Sequence, residues 1–191
     1  MQVATGKSIL NGIAIGPLRI YKKAEAQTTV SSTLTPEEEY ARFDAARVKA
    51  QEQLGVLYDK ALDEVGEDNA AIFEIHQMML DDDDYLDAVR GILETQGATA
   101  EYAASATGEN FAAAFAAMED EYMRARAADV KDISRRVVNV LLGVGDADMM
   151  ADQPAILVAD DLTPSETVQL DKTKLLGFIT RHGSSNSHTA I

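Results

Sequence analysis

The period of the hydrophobic pattern changes twice along this chain, and this double change is the strongest constraint on its fold. Residues 13–21 are rich in branched side chains and predict a strand. Helical spacing then holds from residue 35 to residue 143, and strand patterns return at residues 155–159 and 175–180. The simplest arrangement is an α + α/β fold, in which a helical bundle is inserted into an α/β domain built from both chain ends.

Start and stop signals divide the helical block into separate helices. Residues 35–38 (TPEE) form a capping box with proline at the first helical position, and Gly66 is a helix terminator. Gly97 and Gly143 supply two further stops, and the aspartates at 81–84 favour a helix start. The helices predicted in this way span residues 35–65, 70–80, 81–96, 99–118 and 120–142.

The C-terminal α/β part has a comparable signal and looks truncated. A second capping box at residues 163–166 (TPSE) predicts a short helix between the last two strands. A further helix and strand are expected after Ile191, because parallel strands need crossover connections. We therefore expect the chain to be part of a longer protein. The predicted divisions are a first α/β part at 1–33, a helical subdomain at 34–143 and an incomplete second α/β part at 144–191.

The charge balance is strongly acidic and narrows the choice of partners. Lys and Arg number 17 against 32 Asp and Glu, a formal net charge of −15. A nucleic-acid backbone would be repelled, whereas a basic protein would be attracted; acidity that serves only solubility is the alternative. The chain has no cysteine, no apolar run that could span a bilayer and no signal-peptide pattern. We therefore expect a cytoplasmic protein that binds neither nucleic acid nor membranes.

His188 is the candidate nucleophile. It follows a glycine-, serine- and asparagine-rich loop that leads from a strand into a predicted helix. Unpaired backbone N–H groups at such a helix start attract phosphate and favour the neutral imidazole, which can carry a phosphoryl group as a phosphoramidate. Ser187 and Thr189 add hydroxyl donors on either side. The alternative is a solvated loop histidine, which is also the expectation for His182.

Three stretches of the chain carry a family resemblance: residues 176–191 (LGFITRHGSSNSHTAI), 126–136 (RAADVKDISRR) and 156–167 (ILVADDLTPSET). They resemble, in turn, three parts of enzyme I of the bacterial sugar phosphotransferase system. These parts are its phosphohistidine signature, the last long helix of its helical subdomain, and the strand and capped helix ahead of the active histidine. The resemblance covers nearly the whole chain. It implies a phosphoenolpyruvate-protein phosphotransferase that passes a phosphoryl group from His188 to HPr, a small carrier with a basic patch.

The resemblance also implies roles for individual residues around the histidine. The Ser187–His188 pair is intact, whereas residues 183–186 (Gly-Ser-Ser-Asn) depart from the commonest pattern of two glycines, a basic residue and a threonine. Asn186 can donate a side-chain hydrogen bond much as threonine would. Thr167 is implied to bond the active imidazole and fix its orientation. The alternative is that the Thr167 hydroxyl bonds the backbone of its own helix.

A partner surface on the helical subdomain is implied as well. An acidic rim around apolar residues suits transient docking of basic HPr. For individual members the alternatives are helix capping, core packing or a buried histidine. The positions that match the family's HPr-binding surface are Glu67, Asp68, Ile72, His76, Met79, Asp82, Asp84, Phe115 and Arg126.

The phosphoenolpyruvate and magnesium sites are implied to lie elsewhere. In the family both belong to a C-terminal domain of the same enzyme, so we expect no metal or other cofactor within these residues and magnesium only in the full-length enzyme. Two other functions stay open. One is the swivelling phosphohistidine domain of a pyruvate phosphate dikinase or phosphoenolpyruvate synthase, and the other is a fragment that only binds HPr.

Overall fold

The computed structural model contains two compact units. One is formed by both ends of the chain, Met1–Lys23 and Asp148–Ile191, and the other by the segment between them, Ala24–Ala147. We call them the sheet unit and the helical unit. The predicted combination of a helical bundle with an α/β part is confirmed. The residues that the structure describes are 6–9, 12–22, 30–144 and 153–182.

Helices account for the described part of the helical unit. They are α1 Pro36–Val65, α2 Glu67–Leu80, α3 Asp83–Gln96, α4 Ala100–Ala116 and α5 Glu121–Leu142. The predicted capping box of α1 is confirmed: Glu38 N donates to Thr35 Oγ1 at 3.3 Å, and Thr35 N donates to Glu38 Oε2 at 2.9 Å. Gly97 and Gly143 end α3 and α5 with φ values of 57° and 65°, so the predicted stops are confirmed too.

The start of α2 differs from the prediction. The helix begins at Glu67, directly after Gly66, rather than at residue 70. Gly66 has φ 88° and ψ 171°, a backbone conformation that is essentially restricted to glycine, and it ends α1 while starting α2. Apolar periodicity begins only at Ala70, so the polar first turn of α2 carries no pattern that marks it as helix.

The helical unit has an extensive apolar core. Each of its helices contributes fully buried side chains, of which the largest are Phe43, Leu54, Phe73, Leu80, Tyr85, Leu93 and Ile133. Helices α4 and α5 approach closely at Gly108, where an added Cβ would lie 2.5 Å from Ser134 Cβ. The Ser134 and Tyr85 hydroxyls share a buried hydrogen bond of 2.9 Å. None of the helices described is long and apolar enough to cross a membrane.

A buried carboxylate joins the beginnings of α1 and α4. Glu39 is 2% exposed and accepts hydrogen bonds from the Ser32 hydroxyl, from Ala100 N at 3.0 Å and from Arg42 Nη1 at 2.5 Å. Burial alone would raise the pKa of Glu39, but these hydrogen bonds outweigh burial and the pKa is lowered. Arg42 also pairs with Glu101, so the chain before α1 is tied to two helices.

The sheet unit is a small parallel sheet with one short helix. Its elements are β1 Leu18–Ile20, β2 Ala155–Ala159, α6 Pro164–Gln169 and β3 Leu175–Thr180, and the strand order is β1-β2-β3. The strand β1 is shorter than the predicted strand at 13–21. Ile156 N donates to Pro17 O at 2.9 Å near the start of β2, so the residues before Pro17 extend past the end of the neighbouring strand.

The two faces of this sheet differ in what covers them. One face packs Leu157 and Ala159 against Leu162 and Leu170 in a small core. The other face carries apolar side chains that lie side by side in the strand register, and several of them are exposed. Leu18, Ile20 and Ile179 are 65%, 70% and 56% exposed, and Ile156 and Val158 are half-buried. We call these five residues the open sheet face.

Candidate functional site

The predicted nucleophile follows the last strand of the sheet unit. His188 and Ser187 lie outside the described residues, but the structure describes the chain that leads to them. After β3 ends at Thr180, His182 N donates to Asp160 O at 2.8 Å, beyond the end of β2. The chain therefore leaves the sheet at the carboxyl ends of parallel strands, which is the edge where open α/β sheets bind their ligands.

Thr167 lies on α6, which begins at the second predicted capping box. Glu166 N donates to Thr163 Oγ1 at 3.3 Å, and Thr163 N donates to Glu166 Oε2 at 2.8 Å. The Thr167 hydroxyl donates towards the carbonyl oxygens of Thr163 and Pro164, at 3.1 and 2.9 Å. Its hydrogen is thus used by the backbone of its own helix, and its lone pairs can still accept. An imidazole bonded to this hydroxyl would have to donate an N–H group to it.

The acidic members of the predicted partner surface are exposed. Glu67 and Asp68 form the first turn of α2, and Asp84 lies in the first turn of α3. Asp82 is exposed and also caps α3, because its Oδ1 accepts from Asp84 N at 3.0 Å and from Tyr85 N at 3.2 Å. Three of these acids therefore have no capping bond to lose, whereas replacement of Asp82 would also weaken a helix start.

The negative charge of α2 is felt on the neighbouring helix α1. Glu74, together with burial and the charges of Glu67 and Asp59, raises the pKa of the Tyr58 hydroxyl. A field that opposes one more negative charge favours an approaching cation. Of the acids on the predicted partner surface, Glu67 contributes to this field at Tyr58.

Two members of the predicted partner surface lie in the interior. Ile72 is 3% exposed and His76 is fully buried, with its imidazole edge-on to Phe73 at 6.0 Å between ring centres. Together with Leu80 they repeat at a spacing of four residues, which is the spacing of one helix face. As the helices are packed, a partner protein cannot contact either side chain, so we leave both out of the docking surface proposed below.

The remaining apolar members are only partly accessible. Met79 on α2 and Phe115 on α4 are half-buried. Met78, which the sequence analysis did not single out, is 71% exposed. A methionine in an apolar helical run resembles a core residue in sequence. Only the packing of α2 against its neighbours shows that Met78 faces outwards.

Arg126 is held by two neighbours on α5. Its Nη1 donates to Asp129 Oδ2 at 3.1 Å, its Nη2 donates to the Tyr122 hydroxyl, and its guanidinium carbon lies 4.5 Å from the centre of the Tyr122 ring. Burial alone would lower the pKa of Arg126, but the bonds to Tyr122 and Asp129 outweigh burial and raise it. Asp129 is 6% exposed, and His76 Nε2 lies 3.4 Å from its other oxygen, Oδ1.

Two family profiles match the chain. The profile described as PEP-utilising enzyme, N-terminal, matches residues 5–126, and the profile described as PEP-utilising enzyme, mobile domain, matches residues 151–191. The first match alone covers more than half of the chain. The second contains β2, α6 and β3, and it also contains the predicted nucleophile.

Curated relatives match the chain along its whole length. The phosphoenolpyruvate-protein phosphotransferase of Bacillus subtilis (strain 168) is 38% identical over 194 residues, which cover 100% of this chain and 34% of that protein. The protein of the same name from Bacillus sp. (strain S) is 37% identical over 187 residues, covering 97% and 32%. The chain therefore spans about a third of the length of these relatives.

Two solved structures share the fold. The solution structure of an Enzyme I protein (nEIt) is 34% identical with a TM-score of 0.75, and the match covers 95% of this chain and 75% of that one. The N-terminal domain of Enzyme 1 - Nitrogen is 27% identical with a TM-score of 0.67 and the same coverages. Fold, sequence identity and profiles agree with the resemblance found in the sequence: the chain belongs to the N-terminal domains of enzyme I, within the PEP-utilising enzymes.

Proposed function

We propose that this chain is the part of a phosphoenolpyruvate-protein phosphotransferase that carries the phosphoryl group on His188 and delivers it to HPr in the cytoplasm. The observation that carries the proposal is the match of residues 151–191, which include His188, to the mobile domain of PEP-utilising enzymes. The relatives that bear the name of this activity are about three times as long. We therefore assign the histidine relay to the roughly one third of their length that this chain matches.

The Thr167 geometry supports a defined tautomer of the nucleophile. Because the Thr167 hydroxyl donates to backbone carbonyls, it can only accept from His188. A His188 ring N–H that donates to Thr167 leaves the lone pair on the other ring nitrogen, which is the atom that can attack phosphorus. Removal of that hydrogen bond would leave the ring free to turn, so Thr167 acts as a positioning residue.

The relay consists of two displacements at phosphorus. In the first, the His188 lone pair forms a P–N bond while the P–O bond of phosphoenolpyruvate breaks and its electron pair leaves with the enolpyruvate oxygen. In the second, a histidine nitrogen of HPr forms the new P–N bond and the pair of the old bond returns to His188. Such transition states are loose, so positioning dominates. We assign the Ser187 hydroxyl, next to His188 in the sequence, as a donor to a phosphoryl oxygen.

The donor site belongs to the length of the relatives that lies beyond this chain. Within the described ranges, no group of three or more histidine, aspartate and glutamate side chains could hold a metal ion. As the family resemblance implies, we assign phosphoenolpyruvate and magnesium to the C-terminal domain of the full-length protein, which is the second partner of this chain.

The docking surface for HPr is proposed on the helical unit. Exposed Met78 and half-buried Met79 lie on the same helix as Glu67 and Asp68, and Asp82 and Asp84 follow within four residues of its end. Exposed apolar side chains beside an acidic rim fit a basic protein that binds transiently. Phe115 and Arg126 are the members of this surface from α4 and α5.

Label transfer from phosphorylated HPr tests the relay without the missing donor domain. We expect radiolabel to move from phospho-HPr to the parent chain and to remain acid-labile, and we expect His188→Ala to stay unlabelled. The matched control is His182→Ala, which removes a histidine of the same segment and should leave labelling intact. Acid-labile label on the His188 variant would overturn the assignment. Binding without transfer would favour the HPr-binding alternative. The absence of both binding and transfer would favour the dikinase alternative.

Charge removal tests the docking surface. We expect Glu67→Gln with Asp84→Asn to slow association with HPr about 3- to 10-fold at low salt and to weaken its salt dependence. The control pair, Glu52→Gln with Glu109→Gln, removes the same charge from exposed positions on α1 and α4 and should change the rate much less. Stopped-flow measurements would decide. Equal rates for the two pairs would place the docking site elsewhere.

A further inference from the structure

We propose that Asp129 is a positioning residue that presents Arg126 to the docking partner, so that a carboxylate in the interior sets the geometry of a surface contact. The inference rests on the proposed function, since it needs a basic carrier protein that docks on the helical unit. It concerns a residue that lies below the surface and that neither the charge pattern nor the family resemblance singled out.

The guanidinium of Arg126 is fixed from two sides. Asp129 Oδ2 holds one end of the fork at 3.1 Å, and the Tyr122 hydroxyl and ring hold the other. An arginine side chain carries about 2 kcal/mol of rotamer entropy, and a pre-organised fork loses less of it on binding. In the parts of the chain that the structure describes, Arg126 makes no other hydrogen bond. Its side chain keeps 12% of its area exposed, and that part is what a partner could contact.

Asp129 is in turn fixed from the core side. It is 6% exposed, and its second oxygen, Oδ1, lies 3.4 Å from Nε2 of the fully buried His76 on α2. That distance is within ion-pair range but lacks hydrogen-bond geometry, and neither imidazole nitrogen has a hydrogen-bond partner among the described residues. A buried carboxylate is stable only when its partners compensate its charge. Oδ2 is hydrogen-bonded to Arg126 and Oδ1 contacts the His76 ring, so the carboxylate cannot turn without losing one of these contacts.

The position of Arg126 bears on specificity. The contact between His76 and Asp129 places this part of α5 beside α2, and Met79 follows His76 by about one helical turn. Arg126 is thus a cation beside an acidic, methionine-bearing helix. A uniformly basic partner would be repelled there. The surface therefore selects a basic protein that presents a carbonyl or carboxylate oxygen opposite Arg126, which is specificity by exclusion as well as by attraction.

The alternative is that Asp129 only tethers α5 to α2. The two roles differ in how Asp129 and Arg126 combine. If Asp129 acts through Arg126, its substitution has no further effect on partner binding once Arg126 is alanine. If it only stabilises the helix pair, the two substitutions affect binding independently and their effects add.

The experiment measures HPr binding by titration calorimetry at fixed ionic strength with four variants of the full chain. Asp129→Asn should weaken binding about tenfold, because the amide loses the charge that holds the fork. Glu109→Gln is the matched control: it also converts an acid to an amide, and it frees Lys131 Nζ, on the same helix as Asp129, from a 2.7 Å ion pair between α5 and α4. We expect the control to stay within about twofold of the parent. In the Arg126→Ala background, Asp129→Asn should change binding by less than about twofold.

Tyr122→Phe keeps the test decisive if Asp129→Asn does not fold. This substitution removes only the hydroxyl at the exposed end of the fork, where Tyr122 is 65% exposed, and should weaken binding about 2- to 3-fold. Each of three results would overturn the positioning role alone. The first is equal binding by the Asp129→Asn and Glu109→Gln variants, and the second is additive effects in the Arg126→Ala background. The third, which applies if Asp129→Asn does not fold, is unchanged binding by Tyr122→Phe. A parent chain that does not bind HPr would overturn the proposed docking function and this inference together.

Discussion

The helical unit buries a large apolar core between its helices, whereas the described residues of the sheet unit cover only one face of its sheet. Phe43 and Leu54 of α1 are completely buried among neighbouring helices. In the sheet unit Leu157 is completely buried, but Leu18 and Ile20 on the opposite face are 65% and 70% exposed. Parallel sheets generally carry helices on both faces. The helical unit therefore encodes its own core, and the open sheet face is an apolar surface that the described residues leave uncovered.

This difference predicts unequal stability within one chain. The free energy of burial is roughly proportional to the apolar area removed from water, at about 25 cal/mol per Å². The helical unit removes such area through five helices, whereas the sheet unit has a small core on one face. We therefore expect its backbone amides to exchange with solvent more slowly than those of the sheet unit.

The largest effect should come from the helical core. Phe43→Ala is expected to lower the free energy of unfolding of the helical unit by about 3–5 kcal/mol, because it leaves a cavity among well-packed neighbours. Phe178→Ala, on β3, should cost about 1 kcal/mol or less, because that ring is 37% exposed. Urea titrations followed by circular dichroism would compare them. Equal losses would contradict the proposed difference between the units.

A smaller loss is expected at the buried carboxylate that joins α1 and α4. Glu39→Gln should destabilise the helical unit by about 1–3 kcal/mol, because the amide cannot accept from Ser32, Arg42 and Ala100 as the carboxylate does. Glu94→Gln, at an exposed position on α3, is the control and should be near neutral.

The same carboxylate gives a pH dependence with a definite sign. The pKa of Glu39 is lowered in the folded state, so its contribution is fully present above the ordinary glutamate value of about 4.3. As the pH falls below that value and through the lowered pKa, the contribution is lost. The parent should therefore lose more stability than the Glu39→Gln variant over this acidic window. Parallel acid-unfolding curves for the two proteins would contradict the assignment.

The two capping boxes allow one motif to be compared in both units. Thr35→Ala and Thr163→Ala should each cost about 1 kcal/mol, the usual loss for an N-cap hydroxyl. The helix α6 has six residues, whereas α1 has thirty. Loss of the Thr163 cap should therefore unfold most of α6, whereas loss of the Thr35 cap should fray only one end of α1. Hydrogen exchange resolved by residue would show this, and Thr→Ser at either site should restore protection. If the same fraction of each helix exchanged faster, the expected difference between α6 and α1 would be contradicted.

The smallest effect is expected at the open sheet face. Leu18→Thr with Ile20→Thr should change the free energy of unfolding by less than about 0.5 kcal/mol, because both side chains are already exposed and threonine suits strands. Leu157→Thr, on the covered face of the same sheet, is the control and should cost several times more. A large loss from the double variant would show that the open face is covered by part of the chain.

The sequence predicted helix ends well because the responsible groups are local. Thr35, Gly97 and Gly143 act within one turn of their own positions, so their residue types carry the information. The start of β1 depends instead on where β2 begins, more than 130 residues away in the chain. Long-range pairing of this kind leaves no signal in the residues 13–16 that were predicted as strand.

Burial of polar residues was harder to predict than burial of apolar ones. Aspartate is usually exposed and histidine is intermediate, yet Asp129 and His76 are both buried and in contact. A signal did exist for Asp129, which precedes Ile133 by four residues and therefore shares the buried face of α5. The sequence analysis nevertheless did not single out Asp129, because aspartate is usually exposed. The resemblance transferred His76 as a surface position, and only the packing of α2 shows it to be internal.

Gly66 has a consequence for how the gene of such a protein can change in length. Because one residue both ends α1 and starts α2, the junction contains no spare residue. An insertion there could be absorbed only by unwinding a helical end, and a deletion would remove the one residue type suited to φ 88° and ψ 171°. Codon changes can accumulate along both helices, but we expect the number of codons at this junction to stay fixed over evolutionary time.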